Sequence, residues 1–169
     1  GDTDALIVQR RECLAIDLQV LPPDLNAAAY PFRVEGEKGI RYGLGAIKGV
    51  GRGAAEHIVT VREEGGPFRS LQDFCLRAGG QKLGRRPVEA LVKAGAFDAF
   101  GPNRPSLLTV LPGAMDAAEQ AAAAASVGQD DMFGAPAAPA AGQGSVPELP
   151  DWGWGRKLEA ERESLGLYL

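Results

Sequence analysis

Apolar positions along this chain fall into short runs closed by glycine or proline, and their spacing predicts a mainly α protein with a little β structure at its start. Ala5 to Cys13 has helical spacing. Ala15 to Leu21 alternates as a strand does, with Ile16, Leu18 and Val20 against Asp17 and Gln19, until Pro22 and Pro23 stop it. Phe32 to Val34 and Ile40 to Tyr42 flank the turn-forming stretch Glu35 to Gly39 and predict a short β-hairpin. From Leu44 to Val59 the period becomes helical. Leu44 and Ile47 on one side of Gly49-Val50-Gly51, and Ala55, Ile58 and Val59 on the other, predict two short amphipathic helices joined by a tight turn. The second of them should run through Arg62 and stop at Gly65-Gly66-Pro67.

A second helical pair comes next. Ser70 is placed as an N-cap before Leu71, Phe74 and Cys75, a turn runs from Ala78 to Gly84, and a helix from about Arg86 to Ala94 turns Val88, Leu91 and Val92 inward. Gly95 should end that helix, with Phe97 and Phe100 folding back on it. Leu107 to Ala125 reads as an alanine-dense helix interrupted near Pro112. Residues 135–150 turn to Ala, Pro and Gly and predict a flexible linker. Beyond it, Trp152 and Trp154 precede a helix with Leu158 and Leu165 on one face.

With 169 residues, the chain can bury one respectable core with appendages. Its net charge of −4 excludes a protein that coats nucleic acid through bulk charge, so any such grip must be local. Cys13 and Cys75 are the only cysteines and His57 the only histidine, which leaves no set of ligands for structural zinc. Both thiols are expected reduced and partly buried, and His57 is expected at a surface or boundary position. Without a signal peptide or a membrane-length apolar run, a cytoplasmic setting is expected and no membrane partner.

The segment around Gly49 carries specific chemistry. Two helices joined by G-h-G form a helix-hairpin-helix, whose glycines let a phosphate approach backbone N–H groups at the positive end of the second helix. Lys48, Gly49, Val50, Gly51, Arg52 and Gly53 are therefore the candidate DNA-binding residues, with Lys48 and Arg52 adding charge. The second pair lacks G-h-G but gathers Lys82, Arg85 and Arg86. It reads as a degenerate partner hairpin that completes the core, and an added phosphate contact there stays open.

A second signal is Gly128 to Gly134, where Met132 and Phe133 stand among polar residues. Gln129, two spacers (Asp130 and Asp131) and then Met132-Phe133 fit the short peptides that bind a sliding clamp. The two hydrophobes would fill an apolar pocket and Gln129 would hydrogen-bond at its edge.

These segments together resemble the alpha subunit of bacterial DNA polymerase III. The resemblance rests on Val20 to Asn26, Ile40 to Gly51, Gly66 to Cys75, Arg86 to Asp98, Gln129 to Phe133 and Glu163 to Leu169, in order over nearly the whole chain. It implies that residues 1–26 are the trailing edge of a fingers domain and 27–125 a tandem helix-hairpin-helix domain that meets duplex DNA. Residues 126–134 would hold the clamp-binding motif, 135–150 the linker, and 151–169 the start of a truncated C-terminal region through which other replisome subunits would be met. The implied partners are duplex DNA and the clamp's beta subunits. The family's catalytic aspartates and the magnesium of the parent polymerase belong to a palm domain outside this chain. Asp2-Thr-Asp4 and Asp130-Asp131 are accordingly assigned no metal, and no cofactor is expected here.

Two other readings stand beside this one. A clamp-binding scaffold would keep Gln129 to Phe133 and use both hairpins only for structure, which the acidic charge favours. A helix-hairpin-helix nuclease or glycosylase would need a lysine or carboxylate set that the sequence does not assemble.

Overall fold

The structure is a computed structural model, and it describes residues 18–79, 83–127 and 146–166. Among them the chain is mainly helical. A small sheet comes first: β1 (Gln19–Leu21) runs parallel to β3 (Gly39–Arg41), which pairs on its other side with antiparallel β2 (Arg33–Glu35). Val20 and Val34 both stand opposite Ile40. The expected β-hairpin is thus present, with Gly36 at φ 70° in its turn, a conformation that a side chain disfavours.

Five α-helices complete the described chain: α1 (Arg52–Gly65), α2 (Leu71–Ala78), α3 (Arg85–Lys93), α4 (Arg104–Val127) and α5 (Trp154–Leu165). Their ends match local chemistry. Gly66 ends α1 at φ 80°, and Arg77 closes that end by donating to the carbonyls of Val61 and Gly66 at 3.0 and 2.8 Å. Ser70 caps α2, its Oγ accepting from the Asp73 N–H at 3.1 Å, while Asp73 Oδ2 accepts from the Arg69 N–H at 3.0 Å. Gly95 stops α3 at φ 88°. Asn103 begins α4, its side-chain oxygen accepting from the Ser106 N–H at 3.0 Å.

Two elements differ from the pattern-based expectation. The helix expected before Gly49 is a single 3-10 turn, Leu44–Ala46, because Gly43 and Gly45 are weak helix formers and Gly45 is needed for packing. A Cβ on Gly45 would lie 2.2 Å from the Tyr30 ring. In the other case Pro112 does not interrupt its helix: α4 continues from Arg104 to Val127. Proline removes one N–H donor and costs about 3 kcal/mol in a helix interior. Burial of Leu107, Leu111, Met115 and Ala118 along one side of α4 offsets that cost.

The core lies between these helices. Phe68, Phe74, Phe97 and Phe100 form an edge-to-face chain with centroids 5.0, 5.1 and 5.6 Å apart, and Leu71, Leu91, Leu107 and Leu111 pack around it. Cys75 is fully buried there, and burial pushes its thiol up to about 12. Past Ala118, residues 119–127 of α4 are exposed.

The chain returns at residues 146–150, within the stretch whose composition reads as linker. Leu149 lies over the start of α4, its N–H donating to Ser106 Oγ at 3.0 Å and its carbonyl accepting from Asn103 Nδ2 at 2.6 Å. α5 then packs against α3.

Candidate nucleic-acid interface

The hairpin is built on a buried frame. Ile47 and Val50 point into the core, as do Ala55 and Ile58 of α1, so the turn between them is fixed from beneath. Lys48 and Gly49 are exposed at its tip. Gly49 has φ 89°, the left-handed region, and a Cβ there would stand 3.6 Å from Ala90 Cβ on α3. The Val50 N–H donates back to the Ile47 carbonyl at 3.0 Å and closes the turn.

Gly51 is the N-cap of α1, at φ −70° and ψ 163°, and has no side chain to accept from the helix's first N–H groups. The Ala55 N–H bonds to the Gly51 carbonyl at 3.0 Å, but the N–H groups of Gly51, Arg52 and Gly53 find no acceptor among the described residues. A Cβ on Gly51 or Gly53 would meet nothing within 4 Å, so the surface in front of these donors is open. Unpaired donors, the positive end of a helix dipole and two exposed cations make a seat for an anion.

Arg52 is held from two sides. Its Nε donates to Glu56 Oε1 at 2.8 Å, and its guanidinium lies 5.5 Å from the centroid of the Tyr30 ring. The bond to Glu56 raises the guanidinium above its ordinary value, so its charge is kept.

The second hairpin repeats this arrangement position for position. Leu83 is buried as Val50 is, and Gly84 caps α3 at φ −71° and ψ 169°, close to the angles of Gly51. Arg85 Nε donates to Glu89 Oε1 at 2.8 Å, as Arg52 does to Glu56. Val88 and Leu91 occupy the buried places of Ala55 and Ile58, and Arg86 is exposed where the first hairpin has Gly53. The degenerate partner hairpin expected from the sequence is thus a close repeat, and the likeness of V-G-R-x-x-A-E-x-I-V to L-G-R-x-x-V-E-x-L-V carries it where G-h-G is lacking. Lys82 lies outside the described residues.

Other contacts near the hairpin escaped the pattern. The Lys48 N–H donates to the Ser164 carbonyl of α5 at 2.7 Å, and the Tyr42 hydroxyl to the Leu165 carbonyl at 2.8 Å. Tyr42 is buried, which pushes its hydroxyl up to about 12. Behind α3, buried Arg104 reaches Asp98 Oδ2 at 2.9 Å, Glu161 Oε1 at 3.0 Å and the Lys93 carbonyl at 3.1 Å. His57 sits half-buried, its Nε2 3.1 Å from the Ala78 carbonyl at the end of α2.

The candidate clamp-binding residues Gln129, Asp130, Asp131, Met132 and Phe133 lie outside the described residues, as does Cys13. Among the described residues no three His, Cys, Asp or Glu side chains come together in a group that could hold a metal ion. Nor is any described helix long and apolar enough to cross a membrane.

A family model described as "Helix-hairpin-helix motif" matches residues 17–107. The chain is 44% identical over 169 residues, 99% of its length, to DNA polymerase III subunit alpha of Escherichia coli strain K12. Proteins of the same name from Vibrio cholerae and from Xylella fastidiosa strain Temecula1 are 42% and 43% identical over the same share of the chain. The chain spans only 15%, 15% and 14% of the length of these three relatives.

Proposed function

We propose, starting from a chain that belongs to the helix-hairpin-helix motif family, that its two hairpins hold the backbone of duplex DNA during replication and do so without reading sequence. The observation that carries this reading is the open row of N–H donors at Gly51, Arg52 and Gly53, flanked by exposed Lys48 and Arg52. Backbone donors and flexible cations meet phosphates, whereas base recognition needs a helix face or strand seated in a groove, and the hairpin presents no such base-reading face. The matched cap at Gly84 supports a second grip through Arg85 and Arg86. Because the relatives are DNA polymerase III alpha subunits, the chain acts in this reading as a non-catalytic part of a DNA-directed DNA polymerase in the cytoplasm. Catalytic aspartates and magnesium would be supplied elsewhere in the parent.

The experiment is duplex binding as a function of salt, comparing the wild type with a Lys48→Ala, Arg52→Ala variant. A hairpin that neutralises about two phosphates loses roughly tenfold in affinity between 50 and 200 mM salt, and the variant should bind more weakly with a shallower slope. Unchanged affinity and slope would leave the first hairpin with a structural role only, and the same comparison with Arg85→Ala, Arg86→Ala decides the second.

The second part of the reading is attachment to the sliding clamp through Gln129 to Phe133, with Met132 and Phe133 as anchors and Asp130 and Asp131 as spacers. The sequence motif supports it. Calorimetry with the clamp's beta subunit should give about micromolar affinity, lost in a Gln129→Ala, Phe133→Ala variant. Unchanged binding in the variant would move the contact elsewhere, and a wild type without binding would end this part of the reading.

The reading in which the hairpins serve structure alone has its own support. A Cβ on Gly49 would come into contact with Ala90 of α3, so the glycine fits the seam between the hairpins, and both Arg52 and Arg85 already have carboxylate partners. The salt experiment separates the two.

A further inference from the structure

Both hairpins place a carboxylate one turn behind the arginine that opens the helix, with the same atoms at the same distance: Arg52 Nε to Glu56 Oε1 and Arg85 Nε to Glu89 Oε1, each 2.8 Å. Both pairs are open to solvent; the side chains of Arg52 and Glu56 are 73% and 51% exposed, and those of Arg85 and Glu89 57% and 35%. An exposed i,i+4 pair contributes little to stability, so fold maintenance gives weak reason for its exact repetition at two hairpin mouths.

We propose that Glu56 and Glu89 are governors of the grip, competing with DNA phosphate for Arg52 and Arg85 and so keeping each hairpin's hold weak and readily released. The inference rests on the phosphate-holding reading above. Each arginine spends its Nε on the carboxylate and keeps its Nη donors, so a phosphate that arrives must share the guanidinium's charge with the carboxylate. The carboxylate then stays within one helical turn of the bound phosphate, where like charges repel. Arg52 has a further hold on its place through the Tyr30 ring, whereas no ring lies over Arg85 among the described residues. A moving polymerase needs contacts that form and break at every register, and a self-neutralising arginine supplies one without a conformational change.

The test is a Glu56→Gln, Glu89→Gln variant in a duplex-binding titration at 50 mM and 300 mM salt. Each exposed i,i+4 pair is worth a factor of about two, so removing both should tighten binding about fourfold at low salt. The gain should shrink at 300 mM, where screening weakens the pair and the phosphate contact together. A charge-matched control, Glu63→Gln with Glu119→Gln, changes net charge equally at two exposed sites away from the hairpin mouths. Its affinity should move by less than half as much.

Equal tightening in both variants would assign the effect to bulk charge and overturn the proposal. So would unchanged binding in the Glu56→Gln, Glu89→Gln variant, and so would weaker binding, which would mean that the carboxylates orient the arginines for phosphate. An Arg52→Ala, Arg85→Ala variant separates this failure from failure of the parent reading. If that variant loses affinity while the glutamine pair is flat, only the governor role falls. If it binds as the wild type does, or if the wild type does not bind duplex, the phosphate reading falls and takes this inference with it.

Discussion

The Lys48 N–H at the tip of the first hairpin donates to the carbonyl of Ser164, 2.7 Å away in the last turn of α5. With the Tyr42 hydroxyl on the next carbonyl, Leu165, it satisfies backbone groups that a helix end leaves without partners. The hairpin is therefore braced from behind by an element distant in sequence. Tyr42→Phe keeps the ring and removes the donor, leaving a buried carbonyl short of a partner. It should cost about 1–2 kcal/mol in urea denaturation, with no change in the dependence of stability on urea concentration.

Arg104 carries a heavier load. Its guanidinium is buried and joins Asp98, Glu161 and the Lys93 carbonyl, and the second oxygen of Glu161 is buried with no partner among the described residues. Arg104→Met would strand the Glu161 charge, and loss of one partner of such a pair costs about 3–5 kcal/mol. Adding Glu161→Gln should recover at least about 1 kcal/mol of it. A double variant no more stable than Arg104→Met alone would show that the ion pair is not the source of the loss.

Glycine substitutions should separate fold from grip. Gly53 lies in the first turn of α1 with open space in front, so Gly53→Ala should raise the melting temperature slightly, by about 0.5–1 kcal/mol of stability. The same methyl intrudes where phosphate would approach, and duplex affinity should fall. Gly95 is the opposite case: at φ 88°, its Cβ would stand 2.7 Å from Arg104 Nη2. Gly95→Ala should lower stability by at least about 1 kcal/mol without touching the hairpin tip.

Alkaline pH should reveal the buried acids. Cys75 and Tyr42 are both raised by burial to about 12, from ordinary values of 9.0 and 10.0. Above pH 9 the unfolded chain releases protons that the folded chain retains, so fewer protons are bound in the unfolded state and stability falls as pH rises. Below pH 9 these groups contribute no slope. Urea midpoints should decline between pH 9 and 12, and Cys75→Ala should flatten the part of the decline that begins at 9, leaving the part from 10 onward that belongs to Tyr42.

Much of this molecule is legible in its sequence because the signals are local. Ser70 before Leu71 and Phe74, Gly66 after the last apolar turn of α1, and the alternation either side of Glu35 to Gly39 each state a backbone preference within a few residues. The hairpin frame of Ile47, Val50, Ala55 and Ile58 is readable for the same reason. The features that escape depend on distant partners. Nothing near Gly45 in sequence announces that Tyr30 will lie against it, and no local signal marks Arg104 for burial, because Glu161 reaches it only after the chain returns through α5. Propensity reads Pro112 as a break since it sees a lost donor and not the buried side of α4 that outweighs it. The second hairpin is half visible: its basic residues stand out, but its likeness to the first lies in Gly84, Arg85 and Glu89 taken together.

The exposed end of α4 carries a consequence of another kind. Residues 119–127 form the exposed last stretch of α4, on the order of 13 Å long at about 1.5 Å per residue, with Glu119, Ala122, Ala123 and Ser126 lining one side of a groove whose other side carries His57, Thr60 and Glu64 of α1. Each residue added or removed there also rotates the onward chain by about 100° about the helix axis. Two residues would aim it at nearly the opposite side of the molecule, while seven would restore the original bearing about 10 Å further out. The run of alanines thus sets an azimuth as well as a reach, and length variants of this helix should behave periodically and not progressively.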